Sequence, residues 1–301
     1  MLSLITLLLQ YSQYVGCVCV SDAGQKWCYT GCESDHIIST GQSPVNIETK
    51  NVVMNKQLDA FKYTNFDNKN IINYIINSGH TGLKNMVEVS GGHLQYVYST
   101  SQFHFHWGSA SSHSEGSEHT VDSKRYPMEM HIVSKRKDFT EATHFPDALA
   151  VLGFFIEVIP SVTEAWTKLT NYLPAIQNIK KLSIDDLLGN VNRAAYYRYN
   201  GSLTTPLCNE TVVWTVFKEP IKVDPNLVRA THHCKVEDVS TEVVFHSDLE
   251  MLMTNDNVFR PTQPLNGRTI YASTSTSSAA GPIILLLLLA CLCAFSCSFH
   301  L

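Results

Sequence analysis

The central part of the chain alternates short apolar runs with polar turn residues, and only a few stretches have helical spacing. Runs of this length at regular intervals are typical of β-strands. The predicted strands are 71–76, 94–98, 102–107, 128–133, 150–159, 212–217 and 243–245. Two helices are predicted, one at 163–173, capped by Ser161 or Thr163 and stopped by Pro174, and one at 184–188. No repeat or low-complexity linker interrupts residues 27–272, so the pattern predicts one β-rich domain.

Apolar residues also concentrate at the two ends of the chain. Residues 2–9 are mostly leucine and are followed by small and polar residues, which predicts a secretory signal peptide over 1–23; a buried core helix is the alternative.

At the other end, small residues at 273–282 precede an apolar run at 283–299 that no lysine or arginine follows. This order is typical of a GPI-attachment signal, and a transmembrane anchor is the alternative, although a spanning helix usually carries basic residues on its cytoplasmic side. The sequence therefore predicts a mature domain at 24–273 and a removed propeptide at 274–301. The predicted attachment site is Ser273, with Ser275 and Ser277 as neighbouring candidates.

Composition narrows the class of protein further. The chain has 301 residues and a formal charge of −5, which disfavours nucleic-acid binding because neutralising phosphates needs a basic surface. Of the nine cysteines, those at 17 and 19 lie in or beside the predicted signal, and those at 291, 293 and 297 lie in the predicted propeptide. The other cysteines, which would tend to pair in a secreted protein, are Cys28, Cys32, Cys208 and Cys234.

Histidines carry the strongest chemical signal in the sequence. The strand predicted at 102–107 alternates strictly, so Gln102, His104 and His106 share one face. In the strand at 128–133, Glu129 and His131 share a face, and an adjacent strand would bring His131 to the other two imidazoles. Three neutral imidazoles with a water in an open fourth position form a catalytic zinc site, whereas a structural site has four protein ligands. The pattern by itself is compatible with zinc bound by these three histidines, and the alternative is that each is an ordinary, hydrogen-bonded, half-buried histidine.

Further motifs follow one another around these strands. They are Gln42-Ser-Pro-Val-Asn-Ile47, Gln102-Phe-His-Phe-His-Trp-Gly108, Gly116-Ser-Glu-His-Thr-Val-Asp122, Glu129-Met-His131, Gly201-Ser-Leu-Thr-Thr-Pro206 and Arg260-Pro-Thr-Gln-Pro-Leu265. With these motifs the chain resembles the alpha-class carbonic anhydrases over roughly residues 27–272. The predicted anchor signal, Tyr199 and the stretch 212–220 make it most similar to the GPI-linked extracellular branch. The resemblance implies a single, mainly β domain of α+β character, with a large, mostly antiparallel, twisted central sheet and a few short surface helices.

The resemblance also implies a role for each candidate residue. Carbon dioxide would be hydrated reversibly to bicarbonate at zinc on His104, His106 and His131, while Gln102 and Glu129 would orient imidazoles through their other ring nitrogens.

Three further residues would act on the nucleophile and the product. Thr204 would accept a hydrogen bond from the nucleophile and pass its own proton to Glu118, and Thr205 would lie beside the product. His80 matches the proton-shuttle position, with an ordinary surface histidine as the alternative.

His119 is expected to be a structural, hydrogen-bonded core residue. The apolar residues that would line a carbon dioxide pocket are Val133, Val151, Leu203 and Trp214.

Covalent features are implied in the same way. The resemblance implies a disulfide between Cys32 and Cys208, with Cys28–Cys208 as the competing pair. N-glycosylation sequons begin at Asn200 and Asn209, and Asn209 is the preferred glycan site.

The sequence thus predicts an extracellular, GPI-anchored zinc lyase whose partners are carbon dioxide, bicarbonate and the membrane lipid; it does not identify a bicarbonate transporter partner. A competing hypothesis is a catalytically silent ecto-domain that uses the same fold for binding. Silent relatives typically lose a zinc ligand, whereas all three histidines are present here. Two more hypotheses are a zinc hydrolase that acts on esters and a mis-spliced product that folds poorly.

Overall fold

The structure is a computed structural model that covers most of the predicted mature domain. The described residues are 20–22, 25–27, 40–75, 81–83, 87–108, 115–138, 145–160, 164–172, 181–205, 208–225 and 259–274. The predictions for His80, Cys28, Cys32 and Cys234 and for the strand at 243–245 lie outside these residues.

Strands dominate the described part of the chain. They are β1 (Val20–Asp22), β2 (Gln25–Trp27), β3 (Asn46–Ile47), β4 (Val53–Asn55), β5 (Phe61–Thr64), β6 (Ile72–Ile75), β7 (Thr81–Leu83), β8 (Glu88–Gly91), β9 (Tyr98–Trp107), β10 (Thr120–Val121), β11 (Lys124–Arg125), β12 (Met128–Arg136), β13 (Leu149–Val158), β14 (Tyr196–Gly201), β15 (Val212–Val223) and β16 (Tyr271–Ser273). The helices are α1 (Glu164–Tyr172), α2 (Ile184–Leu188) and a 3₁₀ turn at Thr49–Asn51.

One nine-stranded sheet organises the fold, in the order β4-β16-β14-β15-β13-β12-β9-β8-β5. Its neighbours pair antiparallel except for β13 with β15 and β16 with β4. Because β16 near the end of the described chain pairs with β4 near its beginning, these strands belong to one domain. The expectation of a single, mainly β domain around a mostly antiparallel sheet is therefore confirmed.

Most of the predicted strands are present, but one prediction was wrong. The stretch 94–98 is not a strand, because Gly91, Gly92 and His93 all have positive φ and turn the chain before Leu94. The Leu94 N–H closes this turn on the Gly91 carbonyl at 2.9 Å, and β9 begins only at Tyr98. The apolar pattern there reflects packing of a turn against the core, since the Leu94 side chain contacts it.

The two predicted helices are both present, and α2 has the predicted bounds. Helix α2 begins with a capping box, in which Ser183 Oγ accepts from the Asp186 N–H and the Asp186 carboxylate accepts from the Ser183 N–H. Its buried residues Ile184, Leu187 and Leu188 face the core. Among the described residues, no helix is both long and apolar enough to cross a membrane.

The core lies on both faces of the sheet. One cluster contains the stacked rings of Phe154 and Phe217, whose centroids are 4.2 Å apart, and it packs against both helices. The second cluster contains Val151, Trp214 and Tyr199 and lies on the face that carries the histidines. Strand β13 is buried on both faces, which explains why its sequence is almost continuously apolar instead of alternating.

Candidate metal centre

Three histidines meet on neighbouring strands of the main sheet. His104 and His106 lie two residues apart on β9, and His131 on β12 is directly opposite His104 in the antiparallel register. Their ring centroids are 5.0 Å (104–106), 5.3 Å (104–131) and 4.5 Å (106–131) apart. One nitrogen from each ring lies within 4.8 Å of those of the other two. The predicted convergence of these three side chains is therefore present.

Two polar residues orient the rings. Gln102 Oε1 lies 2.9 Å from His104 Nδ1, and Glu129 Oε1 lies 2.8 Å from His131 Nε2. An amide or carboxylate oxygen at this distance accepts a hydrogen bond, so each of these nitrogens carries the proton and the other ring nitrogen keeps its lone pair. His104 Nε2 and His131 Nδ1 are thus the atoms available as metal ligands. The donor set, imidazole nitrogens without thiolates, suits a transition metal such as zinc.

A second group of potential metal ligands, His119, Glu129 and His131, is also compact. Its members are, however, hydrogen-bonded directly to one another. Glu129 Oε1 lies 2.8 Å from His119 Nδ1 and 2.8 Å from His131 Nε2. Two atoms that ligate one tetrahedral zinc at about 2.05 Å would be about 3.3 Å apart, so these shorter contacts are direct hydrogen bonds. The expectation that His119 is a buried, hydrogen-bonded structural residue is confirmed.

The Glu129 carboxyl group is fully buried. Burial alone would raise the pKa of its carboxyl group, but His119 and His131 hold that pKa well below the usual range. Its second oxygen, Oε2, accepts the His119 backbone N–H at 2.8 Å. The carboxylate is therefore ionised and fixes the His131 ring in one orientation.

Glu118 lies behind the histidines and is 1% exposed. Its Oε1 accepts the Arg260 backbone N–H at 2.8 Å and lies 3.4 Å from His106 Nδ1. Its Oε2 lies 3.9 Å from His131 Nδ1 and has no hydrogen-bond partner within the part of the chain that the structure describes. The expected hydrogen bond from Thr204 to Glu118 is thus not formed here: Arg260 fixes the carboxyl group through Oε1, and Oε2 is left open toward the histidines.

A buried chain of hydrogen bonds, which the sequence did not reveal, connects the histidines to the loop of Thr204. His119 Nε2 lies 2.6 Å from the Tyr199 hydroxyl, which donates to Ser43 Oγ at 2.9 Å. Ser43 Oγ also accepts the Ser202 backbone N–H at 3.0 Å. No local pattern marks Ser43 for this contact, because it lies 159 residues from Ser202 in the chain. Burial raises the pKa of the Tyr199 phenol above its ordinary value, so its proton is retained.

The four apolar residues predicted to line the pocket belong to, or pack against, one buried cluster beside the histidines. They are Val133, Val151, Leu203 and Trp214. Val133 pairs with Val151 across β12 and β13, and Val151 pairs with Trp214 across β13 and β15. The Trp214 ring centroid is 4.8 Å from that of His131, so an apolar wall adjoins the candidate metal ligands.

The remaining candidates lie around the site or away from it. Cys208 is disulfide-bonded, and its partner lies outside the described residues. Thr204 is buried and Thr205 half-buried. Of the sequon asparagines, Asn200 is exposed and Asn209 is half-buried, the reverse of what a preference for Asn209 would suggest.

Comparison with known proteins is consistent with this geometry. Residues 23–274 match the eukaryotic-type carbonic anhydrases, and the chain belongs to that family. Carbonic anhydrases are lyases that interconvert carbon dioxide and bicarbonate, so this protein is a carbonic anhydrase enzyme.

Individual relatives cover most of the chain. It is 34% identical to carbonic anhydrase 4 of Rattus norvegicus, over 84% of this chain and 83% of that protein. It is 35% identical to carbonic anhydrase 4 of Oryctolagus cuniculus, over 81% of this chain and 78% of that protein. It is also 35% identical to carbonic anhydrase 6 of Homo sapiens, over 76% of this chain and 74% of that protein.

Removing the Tyr199 hydroxyl tests whether the buried hydrogen-bond chain stabilises the protein. Tyr199→Phe leaves His119 and Ser43 without this partner in a dry site, and we expect the free energy of unfolding to fall by about 1–3 kcal/mol. Urea unfolding followed by tryptophan fluorescence measures the change. Tyr197→Phe on the same strand is the control, because no hydrogen bond involves the Tyr197 hydroxyl among the described residues, and it should change stability by less than about 0.5 kcal/mol. Equal losses in the two variants would contradict this role.

Proposed function

We propose that this chain is a zinc enzyme that hydrates carbon dioxide reversibly at the extracellular face of the membrane, where a GPI lipid anchors it. The observation that carries the proposal is the convergence of His104, His106 and His131, whose ligand atoms lie within 4.8 Å of one another. Zinc is the metal that best fits three imidazoles with a free fourth position. When bound, it lowers the pKa of a water ligand to about 7 and so supplies hydroxide at neutral pH, an effect for which carbonic anhydrase is the standard example.

Residues around the histidines orient the reaction. We infer that the Thr204 hydroxyl accepts a hydrogen bond from the nucleophile and donates its own proton to Glu118 Oε2. Two observations support this: both side chains are buried, at 4% and 1% exposure, and Oε2 has no hydrogen-bond partner in the described chain, so it can accept the Thr204 proton when the nucleophile is present. A donor and acceptor ordered in this way direct a lone pair of the nucleophile toward carbon dioxide. The backbone N–H of Thr204 then stabilises the charge that develops on the bicarbonate oxygen, with Thr205 beside it.

The apolar wall provides the place for carbon dioxide. Val133, Val151 and Trp214 are at most 8% exposed, and Leu203 packs against them next to His131. A small apolar pocket of this kind favours a neutral gas over charged competitors and holds it without strong interactions that would slow release of the product.

Metal content and rate test the proposal together. The 24–273 chain should bind one zinc ion and hydrate carbon dioxide in stopped-flow assays well above the buffer rate. His131→Ala should lose both zinc and activity, because two imidazoles hold the metal far more weakly than three.

His93→Ala is the matched control for this experiment, since His93 lies in an exposed turn remote from the cluster, and it should keep both properties. Full zinc occupancy without hydration would reject the enzyme and favour a binding domain of the same fold.

The maximal hydration rate of a His80 variant tests the proposed proton-shuttle role of His80, a residue outside the described part of the chain. An imidazole with a pKa near neutrality accepts and releases protons at working pH. His80→Ala should lower the maximal rate toward the lower end of the roughly 10²–10⁴-fold range that positioned proton transfer contributes. The zinc content should stay unchanged, and added imidazole should restore part of the rate. An unaltered maximal rate in dilute buffer would rule out the shuttle.

Enzymatic release from cells tests the anchor. The course of the chain is compatible with an anchor after the domain, because β16 ends at Ser273 and the next residue, Thr274, is exposed. A phosphatidylinositol-specific phospholipase should release the protein from intact cells, and mass spectrometry of the released C-terminal peptide should identify Ser273 as the attachment residue. A chain in which a known spanning helix replaces residues 274–301 is the control that stays bound. Retention of the native protein would favour a transmembrane anchor.

A further inference from the structure

Arg198 is a buried cation that has no role in the proposed reaction at the histidine cluster. It lies on β14 and is 7% exposed. Its Nε donates to Thr215 Oγ1 at 3.1 Å, whereas Nη2 is buried and has no hydrogen-bond partner in the described structure. Because strand residues alternate between faces, Arg198 faces away from the histidines while its neighbour Tyr199 faces toward them. A buried charge normally requires a partner of opposite sign.

The described surroundings of Arg198 are aromatic and include no carboxylate paired with it. Its guanidinium carbon lies 5.6 Å from the ring centroids of both Phe61 and Tyr196. None of the ion pairs among the described residues includes Arg198, and Asp147, the carboxylate in the adjoining cavity, is paired with Arg136 at 3.1 Å. Burial lowers the pKa of Arg198 from its ordinary value, as expected of a cation without a counter-charge.

A cavity of about 690 Å³ adjoins this cation. Besides Arg198, its lining includes a second guanidinium, that of Arg268, and also Tyr98, His93 and Tyr271. Arg268 donates to backbone carbonyl oxygens, including those of Gln42 and Asn200, and forms no ion pair within the described residues. Tyr271 is 38% exposed, so the cavity is open to solvent. Arg198 and Arg268 thus both line this cavity, Arg268 with its guanidinium bonded to the carbonyl oxygens of Leu265, Asn200, Gln42 and Pro264. Asp147, the carboxylate in the described lining, is already paired with Arg136.

We propose that this cavity binds a small oxyanion, with Arg198 as its principal ligand, at a site separate from the histidine cluster. A guanidinium offers a planar pair of N–H donors that matches two oxygens of a carboxylate, bicarbonate or phosphate group. The anion supplies the counter-charge that the described residues do not provide to Arg198. Inorganic phosphate and bicarbonate share this chemistry, and the experiment compares the two.

Thermal unfolding of the holoenzyme tests the site. Melting temperature is measured against the concentration of phosphate or bicarbonate, with chloride at equal ionic strength as the reference. At ten times the dissociation constant, the wild-type protein should gain about 3–6 °C more than Arg198→Met. This variant leaves the histidines intact, so anion binding at the metal centre cancels in the difference. A gain with bicarbonate alone assigns a planar oxyanion, and a gain with both anions assigns a site that also takes tetrahedral ones.

The variants separate anion binding from a structural role. Arg193→Met is the matched control, because Arg193 lies near the same aromatic cluster but is paired with Asp185 at 2.7 Å, and it should keep the full gain. Without anions, Arg198→Met should be at least as stable as wild type, since it removes an uncompensated buried charge. If that variant does not fold, Arg198→Lys keeps the charge, loses the planar fork, and should bind at least tenfold more weakly. Equal gains in the wild type and the Arg198 variant, or no gain beyond chloride, would overturn the proposal.

Discussion

The ionised, fully buried carboxylate of Glu129 is the constraint on which the site depends. A charge in a dry interior is tolerated only when donors surround it, and here the donors are two imidazoles and a backbone N–H. Each donor then has a fixed position, so His131 presents one nitrogen to the metal site and His119 is held against Tyr199. The requirement to pair one buried charge therefore orders the hydrogen-bond chain from the histidines to the Thr204 loop.

The pleat of the sheet places the histidines on one face and apolar core residues on the other. Side chains on successive strand positions point to opposite faces, so β9 presents His104 and His106 to the site and Phe103 to the main core. On β14 the same alternation places Tyr199 in the buried network and Arg198 in the aromatic cluster behind it. Two neighbouring residues of β14 thus contribute to different surroundings, although both line the cavity beside Arg268.

The sequence pattern predicted the structure correctly where a feature depends on a single strand or helix. The histidine pair on β9 and the helix at Ile184–Leu188 follow from periodicity, whereas the apolar residues Val133, Val151 and Trp214 were implied by the family resemblance. Prediction failed at Leu94, where consecutive positive φ values at Gly91–His93 override an apolar pattern. It also missed Arg260 as a partner of Glu118, because the contact uses a backbone N–H that any residue would have supplied.

The sequence by itself determined the β-rich class, the single domain, the three imidazoles and the family, since these depend on residue types at short spacing and on motifs in order. Only the tertiary structure decided which nitrogen of His104 and of His131 faces its polar partner and that Ser43 completes the Tyr199 chain. It also decided that, among the described residues, Glu118 Oε2 has no hydrogen-bond partner and Arg198 has no ion-pair partner. The physical reason is that these properties belong to pairs of atoms up to 159 residues apart in the chain. Their distance and burial are set by strand order and register, which no local stretch of sequence contains.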